Sequence, residues 1–419
     1  MSEQELELPK GWVQVTVNDL SLDEKHAIRM GPFGSQLKKH ELVNSGIRVL
    51  WIENVVNNNF EYKIGKFITK EKFQQLSGFS VKPNDILVTM MGTIGRTCIV
   101  PNDIGIAIIS SHLLKISLDQ CLCHPKFLEL TLRGNPSVLK QTEKKSRGVV
   151  MKGLNTKIIK NLFFSLPPLN EQKRIVSKIE ELFSKIDSTK QSLEQTKLQL
   201  ELYRQSLLKS VFEGKHTKEW KLCKIDDIAN VKGGKRLPKG HKLTTEKTSH
   251  PYIRVLNFQN FQINQNNLQF IPNKTYEKIK NYIISSKDVY ISIAGSIGKV
   301  GLIPIELDGA NLTENAAKIC NIEINKQFLI YLLNSPLCQH QIQKLITSTN
   351  QGKLALFRIR EISISYPLSI EEQEQIVSQI EQSFSLLENT QNIVNSTLQT
   401  LQTMKMSILK KAFEGKLVQ

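Results

Sequence analysis

No apolar run in this 419-residue chain approaches the roughly 18 residues that a membrane span requires. The start, Met1-Ser2-Glu3-Gln4-Glu5-Leu6-Glu7, is acidic and lacks the apolar stretch of a secretory signal, so a cytoplasmic location with no membrane contact is expected. Cysteine is scarce: the six present do not match between the two halves of the chain, which argues against a disulfide framework and fits reduced thiols. Paired carboxylates of the nuclease kind, a nucleophile elbow and a glycine-rich methyl-donor loop are all missing. Leu166-Pro167-Pro168-Leu169 lacks the leading Asn or Asp of an amino-methyltransferase motif. Gly295-Ser296-Ile297-Gly298-Lys299 resembles part of a P-loop, but its glycines are too close and no Ser or Thr follows the lysine. Cys121-Leu122-Cys123-His124 has no second ligand pair at zinc spacing. The expectation is a chain without catalytic residues, metal site or bound cofactor of its own.

What is present is a duplication. Gly11-Trp12-Val13 returns as Glu219-Trp220-Lys221, and Ile47-Arg48-Val49-Leu50 as Ile253-Arg254-Val255-Leu256. Gly92-Thr93-Ile94-Gly95-Arg96 returns as Gly295-Ser296-Ile297-Gly298-Lys299, and Phe212-Glu213-Gly214-Lys215 as Phe413-Glu414-Gly415-Lys416. A period near 200 residues is a repeated domain and not a solenoid unit. The layout is a module over 1–166, a helical segment over 167–215, a second module over 216–367 and a second helical segment over 368–419. Net charge is +17 and unevenly shared. The modules carry 22 Lys+Arg against 15 Asp+Glu and 21 against 11, whereas the helical segments carry 9 against 7 and 4 against 6. Two basic bodies on near-neutral spacers suit a polyanion contacted at two places.

Apolar residues recur at steps of four and three through Ile175, Ile179, Leu182, Ile186, Leu193, Leu200, Tyr203 and Leu207, interrupted at Thr189 and Thr196. The second segment repeats the seam 201 residues on, from Ile376 to Met404 and Ile408, with Thr390 and Thr397 in the matching places. A sustained 3.5-residue period predicts helices that supercoil on a partner. Paired antiparallel, about 40 residues at about 1.5 Å each make a ruler of about 60 Å. Polar positions left over, among them Gln172, Lys173, Gln191, Gln195, Gln375, Gln391 and Gln399, are candidates to face a partner protein.

Within the modules, Ile47–Ile52, Ile86–Met90, Thr97–Val100 and Leu113–Ile116 read as strands, and Lys126–Arg133 and Gln327–Leu333 as helices stopped by Pro136 and Pro336. The modules are therefore expected to be α/β or α+β. Glycine admits close backbone approach, lysine neutralises phosphate, and Gln or Arg can bond a base edge. On that chemistry the candidate contacts are Ser35, Gln36, Lys38 and Lys39, opposite Lys232, Lys235, Arg236 and Lys239. A second set is Lys144, Lys145 and Arg147, opposite Asn350, Gln351 and Lys353. Arg48, Arg96, Arg254 and Lys299 complete the candidates from the repeated framework. A coiled-coil adaptor that binds only proteins, or a nucleotide-dependent enzyme built on Gly295–Lys299, are the competing readings of the same residues.

Taken in order, these motifs resemble the specificity subunits of type I restriction–modification systems. The resemblance rests on the duplicated layout, Gly31-Pro32-Phe33-Gly34-Ser35, the Gly-Thr-Ile-Gly and Gly-Ser-Ile-Gly turns, Pro167-Pro168-Leu169-Asn170-Glu171-Gln172, and the repeated Phe-Glu-Gly-Lys ends. It implies two target recognition domains joined by an antiparallel coiled coil. Each domain would read one half of a split, asymmetric site in double-stranded DNA. The helices would set the gap and dock two methyltransferase subunits, which carry S-adenosylmethionine. A restriction subunit, where present, would bring ATP and Mg. The second copy departs from the family pattern at its first loop, where Lys232-Gly233-Gly234-Lys235-Arg236 stands for Gly-Pro-Phe-Gly-Ser.

Overall fold

The computed structural model describes residues 9–63, 65–92, 94–146, 154–213, 220–346 and 352–418; the side chains of Lys145 and Ser146 lie outside that description. The chain forms two compact units, Met1–Ser192 with Ser396–Gln419, and Leu193–Asn395. Each unit holds one module together with portions of two long helices, spacer helix 1 (Leu169–Glu213) and spacer helix 2 (Ile370–Phe413).

Each module is α+β and built on two larger sheets, with two two-stranded pairs beside them among the described residues. In the first, an antiparallel sheet runs Ile28–Met30, Leu113–Ile116, Ile86–Thr89, Thr97–Ile99 in spatial order. A distal sheet runs Lys66–Ile68, Ile47–Leu50, Ala107–Ile109, the last pair parallel. The second module repeats this with Asn230–Gly233, Ala316–Cys320, Val289–Ser292, Val300–Leu302, and a distal sheet around Pro251–Ile253 and Ala310–Leu312. Ile86–Thr89 and Val289–Ser292 are buried on both faces. Successive side chains of a strand point to opposite faces. Ile86 and Val88 accordingly enter the core beside the helices while Leu87 enters the distal core; Val289 and Ile291 part from Tyr290 in the same way. This is why these strands read as unbroken apolar runs.

The structural register of the repeat corrects two of the motif pairings. Trp51 N donates to Asn54 Oδ1 and Arg254 N to Asn257 Oδ1, and the parallel strand pairs place Leu50 with Ile253. Arg254 is thus the counterpart of Trp51, and Arg48 sits three residues earlier; the likeness of the two Ile-Arg-Val-Leu runs is a coincidence of composition. Likewise Gly31 corresponds to Gly234. Their N–H groups donate to Leu113 O and Ala316 O, both at 2.9 Å, and a Cβ on either would lie 2.0 Å from the carbonyl oxygen of Ser110 or Thr313. The framework glycine is retained in the second copy, and the loops diverge only after it.

Pro136 and Pro336 do not merely stop the preceding helices, Pro125–Gly134 and Lys326–Asn334; each opens the next, Pro136–Ser146 and Pro336–Lys344. At a first helical position proline loses nothing, since that N–H has no partner within the helix.

The spacer helices pair antiparallel. In the first unit Lys405 Nζ meets Asp187 Oδ1 at 2.6 Å; in the second Lys197 Nζ reaches Asn395 Oδ1 at 3.4 Å and Arg204 lies over the Phe384 ring at 4.8 Å. The seam holds at Ile175, Ile179, Ile186, Ile380, Val394 and Leu401, all buried. It fails at Tyr203 and Met404, which are exposed. The next residues turn inward instead: Arg204 covers Phe384, and Lys405 covers Phe183 at 5.0 Å. Thr189 and Thr390 face solvent and bond back to Lys185 O and Leu386 O. Each helix also ends in the core of the other module. Leu208 and Phe212 of spacer helix 1 join the second module's core, where Phe212 meets Trp220 and Phe328 edge-on. Leu409, Ala412 and Phe413 of spacer helix 2 join the first module's core, against Phe127.

Candidate DNA interface

Positive charge is localised within each module. Residues 232–287 build most of the second distal sheet, its helix Asn273–Ile279 and the loops ahead of it, and carry eleven Lys+Arg against two Asp+Glu. The rest of that module is close to neutral. In the first module the corresponding stretch, 29–82, carries nine against four. Both modules therefore concentrate their cationic side chains on the same part of the fold, as expected for phosphate contact.

In the second module three sequence-predicted loops converge. Gly233, Gly234, Ile293, Glu314, Lys353 and Leu354 line a cleft of about 540 Å³. Lys353 pairs with Ala294 beside the Gly295–Gly298 turn, and Leu354 N donates to Ile293 O. Lys232, Lys235, Arg236, Lys239, Lys299 and Lys353 are exposed. Lys235 Nζ lies 5.1 Å over the Tyr282 ring, and Lys299 Nζ donates to Phe258 O. Gly295 and Gly298 have φ of 74° and 88°, and Gly298 N donates to Ser292 O, so the P-loop-like motif is a tight hairpin end. Arg254 is half-buried, its Nη2 donating to Asn267 O.

At the mouth of the cleft Arg236 Nε donates to Glu314 Oε1 at 2.7 Å. Thr313 Oγ1 donates to Glu314 Oε2 at 3.0 Å, and the Tyr252 hydroxyl donates to Lys235 O at 2.8 Å. Burial by itself would raise the Glu314 carboxyl; the Arg236 guanidinium, Glu314's own N–H and the Thr313 hydroxyl outweigh it and hold the group below its ordinary value. Burial pushes Tyr252 up to about 12, so it stays a neutral donor.

In the first module Ser35, Gln36, Lys38 and Lys39 are exposed, and Lys38 N is capped by Glu41. Arg96 is exposed after the Gly92–Gly95 turn and Lys144 near the end of Pro136–Ser146. Arg48 is half-buried between Tyr62 and Phe67, its Nη1 donating to Lys63 O. Arg147, Asn350 and Gln351, with the Lys145 side chain, lie outside the described residues. Several charged groups of this surface belong to no motif. Lys242, Lys247, Lys274 and Lys278 are part of the basic stretch and stand out only when charge is counted in shorter windows. Glu314 has no local signature, because it sits in the turn between Ala310–Leu312 and Ala316–Cys320, 78 residues from Arg236.

Gln172, expected among the polar positions that face a partner protein, is fully buried. Its Oε1 accepts from His124 N at 2.8 Å and its Nε2 donates to Leu122 O and Pro167 O. Gln373 repeats this with Asn325 N and Pro367 O. The neighbouring glutamates are matched as well: Trp12 Nε1 donates to Glu171 and Trp220 Nε1 to Glu372. The Glu-Gln pair at each helix start is a structural joint.

Comparison with known proteins places this architecture. The model of the type I restriction modification DNA specificity domain matches residues 9–198 and again 217–396. The chain is 24% identical to the type I restriction enzyme EcoBI specificity subunit of Escherichia coli, covering 98% of this chain and 87% of that one. It is 22% identical to the EcoKI specificity subunit of Escherichia coli K12, over 98% and 90%. A chain solved in work on complex assembly and conformational transition of the type I R-M system shares the fold, with a TM-score of 0.75 at 18% identity, covering 98% of this chain and all of that one. With two copies of the domain spanning most of its length, the chain belongs to the type I restriction modification DNA specificity family.

Proposed function

We propose that this chain is the DNA-recognition subunit of a type I restriction–modification complex, in which each module reads one half of a split, asymmetric duplex site. The observation that carries this reading is the pairing of a repeated framework with divergent loops. Gly31 and Gly234 fix the same backbone approach, yet Phe33 of one loop stands where Arg236 stands in the other. Charge concentrated on the same part of both modules supplies the sequence-independent attraction to phosphate. The spacer helices set the gap between half-sites and offer their exposed faces to two methyltransferase subunits. Those partners carry S-adenosylmethionine and the chemistry; a restriction subunit, where present, adds ATP and Mg.

The test is a methylome. The chain is expressed with its cognate methyltransferase subunit in an unmethylated host, and modified adenines are sequenced directly. One bipartite motif with a fixed gap is expected, and replacing residues 216–367 by another module changes one half of it. An active methyltransferase that leaves no motif would favour an adaptor; a swap that alters both halves would rule out one module per half-site.

A further inference from the structure

We infer that Arg236, clamped through Nε by Glu314, reads a guanine in the half-site of the second module. This rests on the DNA-recognition reading above and assigns a role to a pair that the reading does not require. The loop that carries Arg236 is fixed before it. Gly234 N donates to Ala316 O, Lys235 N to Leu312 O, and Lys235 O accepts from Tyr252. The guanidinium is then oriented by Glu314, itself held by Thr313. Glu314 takes Nε and leaves the Nη1 and Nη2 end of the fork without a partner among the described residues, on a side chain that is 79% exposed. Two parallel N–H donors match the O6 and N7 acceptors that guanine shows in the major groove.

Charge decides between base and phosphate. An arginine that neutralises phosphate is best left without a carboxylate, because the ion pair carries no net charge and Glu314 would repel the phosphate oxygens. Lys232, Lys235 and Lys239 stand nearby for that purpose, each exposed and without a carboxylate partner among the described residues. A neutral base edge imposes no such repulsion. The device belongs to one module: the corresponding residues of the first are Phe33 and Ser111, which form no such pair.

The experiment uses the complex of this chain with its methyltransferase subunits, reading the methylome and the binding of duplexes varied one base pair at a time. Arg236→Ala is expected to relax one G·C position of one half-site and to weaken binding of the parent duplex by about 10- to 100-fold. Removing the pair as a neutral unit, in the double variant Arg236→Ala/Glu314→Gln, relaxes the same position and leaves the slope of log affinity against log salt unchanged, because a neutral pair releases no counterion. Arg236→Lys keeps the charge but loses the fork, and relaxes the same position. Glu314→Gln restores net charge to Arg236, steepening the salt slope by about one while discrimination at that base pair falls. Unchanged reading of the remaining base pairs of the same half-site reports that the second module is folded in each variant. The inference is overturned if the double variant weakens all duplexes alike and lowers the salt slope by about one, as a phosphate contact would. It is overturned equally if motif and affinity are unaffected, as for a plain surface ion pair. Failure of the parent complex to give any motif would instead remove the DNA-recognition reading on which it rests.

Discussion

Two glutamines at matched positions hold each spacer helix to the module it leaves. Gln172→Ala would strand the buried His124 N–H and Pro167 carbonyl, and should cost about 1–3 kcal/mol in denaturant unfolding. An unchanged midpoint would show that water replaces the joint. The cysteines give an independent check on the cores. Burial pushes the thiols of Cys98, Cys123 and Cys338 up to about 12, whereas Cys121 is exposed. Since the thiolate is the nucleophile, a thiol reagent near pH 8 should label Cys121 in the native protein and these three only after unfolding. Prompt native labelling of Cys98 or Cys123 would contradict the packing described. Such residues mark the limit of what a sequence discloses at this scale. Gln172 looks like a solvent-facing helix position because nothing local tells that the His124 N–H lies opposite. Glu314 is equally silent, its partner being a separate loop.

The helices were largely legible from periodicity, since a 3.5-residue apolar seam sustained over 40 residues is what two helices packed along their length require. The departures at Tyr203 and Met404 were not, because a cation lying on an aromatic ring can occupy a place that a hydropathy pattern assigns to an apolar side chain. Those rings bear on experiment. Removing seven residues at 183–189 and 384–390 would take Phe183 and Phe384 with them. Removing 189–195 and 397–403 spares both, along with Asp187–Lys405 and Lys197–Asn395. That pair of deletions should shorten the gap in the methylated motif by about 10 Å, or about three base pairs, with both half-sites intact. A motif with its original gap would mean that the helices do not set it. The helix ends should also separate the two units energetically. Phe212→Ala is expected to destabilise the second unit and Phe413→Ala the first, each by about 3–5 kcal/mol. Hydrogen exchange resolved by segment would register the two losses in different places, and loss in the same unit for both would refute the crossed connection.

At the scale of the whole chain the duplication carried most of what could be read: two modules, two matched helices and the sign of the charge. The strands were placed well where alternate residues serve two cores, and poorly where motif letters alone set the alignment, as with the two Ile-Arg-Val-Leu runs. Backbone hydrogen bonds, invisible in sequence, fixed the true correspondence of Trp51 with Arg254 and of Gly31 with Gly234. The crossed helix ends also bear on the order in which the protein is made. The second unit, Leu193–Asn395, is continuous and can close as soon as it has left the ribosome. The first unit draws Leu409, Ala412 and Phe413 from residues made only after the whole second unit. At about 5–20 residues per second, the module translated first waits on the order of 10–40 s for the piece that completes its core. During that interval Phe127 and its neighbours lack their cover, which makes the nascent first module, and not the second, the natural client of a chaperone.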